Sequence, residues 1–383
     1  MSQKTIVILG GGIGGIVTAR DLRKHLGTEH RIILIDKRAH HTFQPSYLWV
    51  VVGWRTPAAI SKPFTALEKH GVEFLQSEVR SINPERKQVE TDKGTVLYDY
   101  LVVALGTDND ASFTTNPSAG IHSFYSFEQA VELSKVIPTF TGESIDIVIH
   151  HTNYKYPMAP YDAAFLISSF FSKRGIDKVR VNIFTPETEP VLFAGSQNSK
   201  HLRALLHQHN IGLHTNCRLD SIDSNNRTVR FNNSVTNRFD LLIGIPSYSP
   251  PAAIRQSNLS DEFGLINVVK DTLQTSIPYV WAIGDNIKIN LENGVTLPKA
   301  GVFANNQAEI VAFNIAHEIL GSSQKKAYSG YGFFFIETGN SRAAYLHGNF
   351  FTKPEPTLSW IEPNVTFHWG KVVIEKYWLW RWL

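Results

Sequence analysis

A chain of 383 residues exceeds what one ordinary hydrophobic core supports, so two or three domains are expected. With 43% hydrophobic and 19% charged residues it is foldable rather than disordered, and a formal charge of +3 without a lysine or arginine run argues against a nucleic-acid partner. Cys217 is the single cysteine, which excludes an intrachain disulfide, a CxxC redox pair and a cysteine-rich metal site. Among 15 histidines the adjacent pair His150 and His151 would leave a strand on opposite faces and chelate poorly.

The first apolar run, residues 5–9, leads directly into Gly10, Gly12 and Gly15, then into a helix pattern through Val17, Ala19 and Leu22. Strand, glycine turn and helix in that order form a dinucleotide-binding fingerprint: one glycine for the turn, one for close approach to a pyrophosphate, one for helix packing. Free N–H groups at the helix start, reinforced by the helix dipole, suit the phosphates. A second strand, 31–35, ends in Asp36, at the distance where an acid bonds ribose hydroxyls. Because that first apolar run is already a strand of the nucleotide fold, no signal peptide is expected, and no stretch of about eighteen apolar residues suggests a membrane span.

A helix is expected at 63–70, a strand at 73–75 and a hairpin from 87–91 and 95–98, turned by Asp92, Lys93 and Gly94. The run 99–107 reads as a buried strand ending in Ala104 and Gly106, where backbone approaches a cofactor. A second α/β unit begins near Phe124, with strands at 145–150 and 179–184 and helices at 159–174 and 199–209. Return to the first domain is expected at 239–243 and then at 279–285, whose Gly284-Asp285 ending sets a carboxylate at the edge of the nucleotide site. A helix at 302–318 follows Pro298, Lys299, Ala300 and Gly301, and from Tyr328 the chain alternates aromatic and polar residues. The expected fold is α/β: two Rossmann-like doubly wound domains of flavoprotein disulfide-reductase type, with a C-terminal aromatic-rich, membrane-facing segment. The parts are 1–115 and 241–320 for the first domain, 116–240 for a degenerate second one, and 321–383 for the tail.

On these residues the chain resembles the two-dinucleotide-binding-domain flavoproteins, and within them the sulfide:quinone oxidoreductases and flavocytochrome c sulfide dehydrogenases. The more specific signals are residues 281–285 with 298–301, the run 156–164, the run 332–339 and the aromatic tail. The resemblance implies FAD, with Gly10, Gly12, Ile13 and Gly15 at its pyrophosphate and Asp36 on the adenosine ribose. Lys37 and Val79 would line the adenine end, Ala104 and Gly106 would lie against the cofactor, and Gly284-Asp285 would bring a carboxylate to the ribityl chain. Lys299, followed by Ala300, would approach the pyrimidine edge, where a cation stabilises reduced flavin, and Pro45 would sit by the ring.

The departures matter more. Sulfide oxidisers use two cysteines beside the flavin; at the matching positions stand Tyr156 and Phe334, and Cys217 lies in neither motif. A thiolate is the nucleophile that chemistry needs, so cysteine-based sulfide oxidation is not expected. NADH use is disfavoured too, because the second α/β strand runs into a stretch from His151 to Pro157 with no glycine, and Pro157 and Pro160 lack N–H donors. The implied acceptor is a quinone, with Phe333, Phe334, Phe335, Phe350 and Phe351 as candidate walls of its pocket. The tail 367–383, rich in tryptophan with lysine and arginine, suits a membrane surface. The expected protein is cytoplasmic, peripheral on the inner face of the plasma membrane, and linked to an unidentified donor; an electron-donor protein and self-association stay open as partners. The rival readings are a non-catalytic flavin-binding scaffold and an NADH:quinone oxidoreductase with an atypical nucleotide site.

Overall fold

The computed structural model describes residues 2–110, 113 and 115–383. Strand β1 (Thr5–Leu9) enters helix α1 (Ile13–Leu26), which returns to β2 (Arg31–Asp36). β3 (Glu73–Gln76) and β4 (Tyr100–Val103) complete this part. The next unit holds β5 (Ile121–His122), β6 (Ser144–Ile149), α2 (Ala159–Ser172), β7 (Arg180–Phe184), α3 (Ser196–Gln208), β8 (Gly212–His214) and β9 (Leu241–Ile245). Then come β10 (Val280–Ala282), α4 (Gly301–Ile319), β11 (Tyr331–Gly339), β12 (Arg342–Asn349), β13 (Thr357–Asn364) and α5 (Val365–Trp382).

Two five-stranded parallel sheets dominate, in the orders β10-β4-β1-β2-β3 and β5-β9-β6-β7-β8. Their central strands are buried on both faces, which is why β1, β4 and β9 read as continuous apolar runs rather than alternating ones. In each sheet the strand ends face the turns that carry the glycine, histidine and Gly-Asp motifs, the usual place for a ligand in open α/β sheets.

The structure corrects three expectations. Residues 239–243 do not return the chain to the first domain: β9 pairs with β5 and β6 inside the second sheet, and the chain crosses back only afterwards. A strand buried on both faces carries no mark of which sheet it joins. The helix expected at 63–70 is a seven-residue 3₁₀ segment, Phe64–His70, because the run between Pro63 and Gly71 is too short to propagate an α-helix. The expected hairpin is a three-stranded antiparallel ribbon whose first strand, Val79–Asn83, was hidden by an irregularity between Val79 and Ser81 that breaks the alternation.

The C-terminal part is a three-stranded antiparallel sheet, β11-β12-β13, followed by α5. Asn364 caps α5, its side-chain oxygen accepting from the Phe367 N–H at 3.1 Å. This helix buries His368, Lys371, Glu375, Trp378, Leu379 and Trp382 and exposes Trp369, Val373, Tyr377 and Trp380, the last at 78%. Lys371 and Glu375 point inward while several of its largest apolar side chains point outward, which an ordinary surface helix avoids. Among the described residues, no helix is long and apolar enough to cross a membrane.

Candidate functional site

The nucleotide turn has the geometry its sequence implies. Gly10 sits at φ 98°, and a Cβ there would collide with the Ala104 carbonyl; one at Gly15 would collide with the Gly10 carbonyl. A Cβ on Gly12 would meet nothing within 4 Å, which leaves open space at the start of α1 where a pyrophosphate is expected. The Gly11 N–H donates to Asp36 Oδ2 at 2.6 Å, and Arg38 donates to the same carboxylate through Nε at 3.0 Å and Nη2 at 2.8 Å. Burial pushes the Asp36 carboxyl up, but the Arg38 hydrogen bonds and charge outweigh it and hold the group below its usual range. Beneath the turn His41 Nδ1 donates to the Gly11 carbonyl, 3.0 Å away, and burial lowers its pKa to about 4, so the ring is neutral at pH 7.

Lys37 is exposed and 3.7 Å from Glu78, and Val79 opens the ribbon; both lie outside the cavity described next. The Gly106 N–H donates to Asn286 Oδ1 at 2.9 Å, and the Gly284 N–H, at φ 78°, to Gln307 Oε1 at 2.7 Å. The first bond ties the loop after β4 to the loop after β10, and the second ties the loop after β10 to α4.

Ile13, Pro45, Asp285, Lys299 and Ala300, far apart in sequence, line one cavity of about 470 Å³. It continues past Tyr156 and Phe333, Phe334 and Phe335 to Lys371, Glu375 and Trp378 of α5. Lys299 Nζ donates to the Ile287 carbonyl; burial lowers its pKa to about 8, against the pull of Asp285. The Asp285 carboxylate has no hydrogen-bond donor among the described residues, and burial raises it while Lys155 and Lys299 oppose the rise. A carboxylate facing a cavity without a donor, beside a glycine turn open at Gly12, fits the hydroxyls and pyrophosphate of FAD. Of the phenylalanines expected as pocket walls, Phe350 packs 5.0 Å from Phe303 and Phe351 5.4 Å from Tyr328, away from the cavity lining.

Tyr156 and Phe334 come together as the resemblance requires of that pair of positions, their rings 6.1 Å apart. Phe334, 2% exposed, also packs on Phe193 at 5.6 Å and Phe303 at 6.1 Å. Tyr156 is a non-glycine residue at φ 46°, and its N–H donates to the Lys299 carbonyl at 2.7 Å. Its hydroxyl donates to the Phe335 carbonyl at 3.3 Å.

Beneath it lies a charged cluster that sequence reading missed. Lys371 Nζ is 3.4 Å from Asp162 and 3.9 Å from Glu337, and His368 Nδ1 is 3.0 Å from Glu337. Burial raises Asp162 to about 7, Lys371 pulls it down and Glu337 pushes it up. Nearby, Arg55 Nε reaches Glu375 Oε2 at 2.8 Å, and Ser46 Oγ donates to Oε1 at 2.8 Å. No motif announces these groups; the inward charges of α5 at helical spacing were the available signal.

Glu187, just past β7, accepts from Thr185 Oγ1 at 3.2 Å and from the Tyr154 and Tyr161 hydroxyls at 3.3 and 3.4 Å. Burial raises it to about 6. The first turn of α2 carries Pro160 and Asp162, so one donor is missing and a carboxylate already sits on the helix dipole.

A family model described as pyridine nucleotide-disulphide oxidoreductase matches residues 4–137. The sulfide-quinone reductase of Aquifex aeolicus is 27% identical over 405 residues, covering 99% of this chain and 91% of that protein. The crystal structure of the sulfide:quinone oxidoreductase from the same bacterium superposes with a TM-score of 0.89 at 25% identity, again over 99% and 91% of the two chains. The mitochondrial sulfide:quinone oxidoreductase of Mus musculus is 22% identical over 92% of this chain and 80% of its own. A type II NADH:quinone oxidoreductase of Haemophilus influenzae is 26% identical over 82% and 80%.

Proposed function

As a sulfide:quinone oxidoreductase-like, FAD-dependent member of the pyridine nucleotide-disulphide oxidoreductase family, the protein, we propose, carries electrons from a donor other than sulfide or NADH to a quinone. The observation that carries this reading is the single cavity that runs from Asp285 and Lys299 to the aromatic side chains of β11 and α5. Bound FAD supplies two-electron chemistry there. The chain's part is to hold it through the Gly10–Gly15 turn and Asp285, to set a cation beside it with Lys299, and to wall the space around it with apolar side chains that exclude water. The quinone assignment draws on relatives that act on quinones and on the apolar lining.

Sulfide is set aside because Tyr156 and Phe334 occupy the two positions where thiols are expected, and neither ring forms a persulfide. NADH is set aside because Glu187, placed where an acid would bond ribose, is spent on Tyr154, Tyr161 and Thr185. The outward tryptophans of α5 fit a membrane interface, and we place the protein peripherally on the inner face of the plasma membrane.

An anaerobic absorbance titration tests the reading. The purified protein is expected to show a flavin spectrum that sulfide and NADH leave oxidised, that dithionite bleaches, and that a short-chain quinone restores. Rapid bleaching by sulfide overturns the argument from Tyr156 and Phe334, and bleaching by NADH overturns the argument from Glu187. Bound FAD that dithionite reduces but quinone does not reoxidise instead fits the non-catalytic flavin-binding scaffold.

A further inference from the structure

Lys155 belongs to none of the motifs, yet the fold sets it, half-buried, in the lining of the same cavity as Asp285 and Lys299. Its Nζ donates to the Thr107 carbonyl at 3.0 Å, on the loop that follows β4. The next residue, Tyr156, turns through φ 46° and gives its N–H to the Lys299 carbonyl at 2.7 Å. Two consecutive residues of the second domain are thus pinned to two loops of the first, and the left-handed turn between them holds the lysine in place. Among the described residues, Thr107 takes one of the three ammonium donors, and Asp285 has no hydrogen-bond donor of its own. Burial pushes the ammonium below the usual lysine value; Asp285 and Asp108 resist this and Arg38 adds to it.

A flavin that gains a hydride equivalent at N5 is left with one negative charge spread over its pyrimidine ring, and a desolvated cation acts strongly on such a charge. Among the cavity-lining groups at this end, one carboxylate, Asp285, stands with two lysines, Lys155 and Lys299. We propose that Lys155 is a second cation of the flavin ring site, which with Lys299 stabilises the negative charge on the reduced ring, in addition to tying the two domains together. This rests on FAD binding and not on the identity of donor or acceptor, so it stands or falls separately from the quinone reading.

Sulfite is the probe, because its sulfur adds to N5 of oxidised flavin and leaves the same ring charge without any turnover. The FAD-loaded protein is titrated with sulfite, and its two-electron potential is read against a reference dye. Lys155→Gln keeps an N–H for Thr107 but removes the charge, whereas Lys155→Arg keeps the charge. The expected result is a sulfite adduct about tenfold weaker in Lys155→Gln, the counterpart of about 30 mV in a two-electron potential, with Lys155→Arg within threefold of the parent. If Lys155→Gln matches the parent in both readings, the lysine is only a domain tie and the proposal fails. Should Lys155→Gln lose FAD, recovery of FAD in Lys155→Arg supports the charge role, and loss in both variants overturns it.

Discussion

Asp162→Asn probes the charged cluster under α5 through stability rather than turnover. Asp162 is fully buried, with a pKa of about 7 in the folded protein. An unfolded aspartate titrates near ~3.9, so between about pH 4 and pH 7 the native state holds a proton that the unfolded chain has released. Stability must fall as pH rises through that window, and the loss is complete above the folded pKa. Each unit of complete mismatch is worth about 1.4 kcal/mol, and integration from pH 5 to pH 7 gives a loss of about 2 kcal/mol from this one group. Asparagine cannot titrate, so urea unfolding followed by tryptophan fluorescence should show the variant losing about 2 kcal/mol less than the parent over that range. Lys371→Met should act in the opposite sense. Without the ammonium 3.4 Å away the carboxyl rises further, and the pH-dependent loss extends beyond pH 7. Identical pH slopes for parent and Asp162→Asn would refute the assignment of a raised pKa to this carboxyl.

Gly10→Ala places a Cβ against the Ala104 carbonyl at φ 98°, and the purified variant should lose FAD, read from the ratio of flavin to protein absorbance. Glu375→Gln leaves Arg55 without its carboxylate in a site where Glu375 is 1% exposed; a loss of about 3–5 kcal/mol is expected from denaturant unfolding, with α5 released first. Trp369→Ser with Trp380→Ser removes two outward rings, exposed at 57% and 78%, so co-sedimentation with anionic lipid vesicles should drop while the unfolding midpoint stays within about 0.5 kcal/mol of the parent. Retained vesicle binding in that double variant would move the membrane contact away from α5.

Much of the nucleotide half was legible, because its signals are local. The turn at Gly10, at φ 98°, and the acid one strand later both belong to one βαβ unit, so their spacing announces the geometry in the sequence. Lys155 was not legible: a lone lysine between two tyrosines has no periodicity, and its meaning comes from Thr107 and Asp285, 48 and 130 positions away. The cluster of Asp162, Glu337, Lys371 and His368 draws on three elements of the C-terminal and second parts, each ordinary when read alone. The return strand was misplaced for a related reason, since Leu241–Ile245 is apolar on both faces and equally suited to either parallel sheet.

By its sequence alone the chain is committed to a dinucleotide fold, and it is denied a pair of thiols, since Cys217 is its one cysteine. That conclusion needs no coordinates, because the absence of a functional group is independent of folding. The tertiary structure decided that Tyr156 and Phe334 face each other, that Glu187 is consumed by the chain's own hydroxyls, and that α5 turns Lys371 and Glu375 inward and Trp369 and Trp380 outward. Those are facts about which groups share a dielectric and which meet water, and they arise only when segments far apart in sequence are packed together.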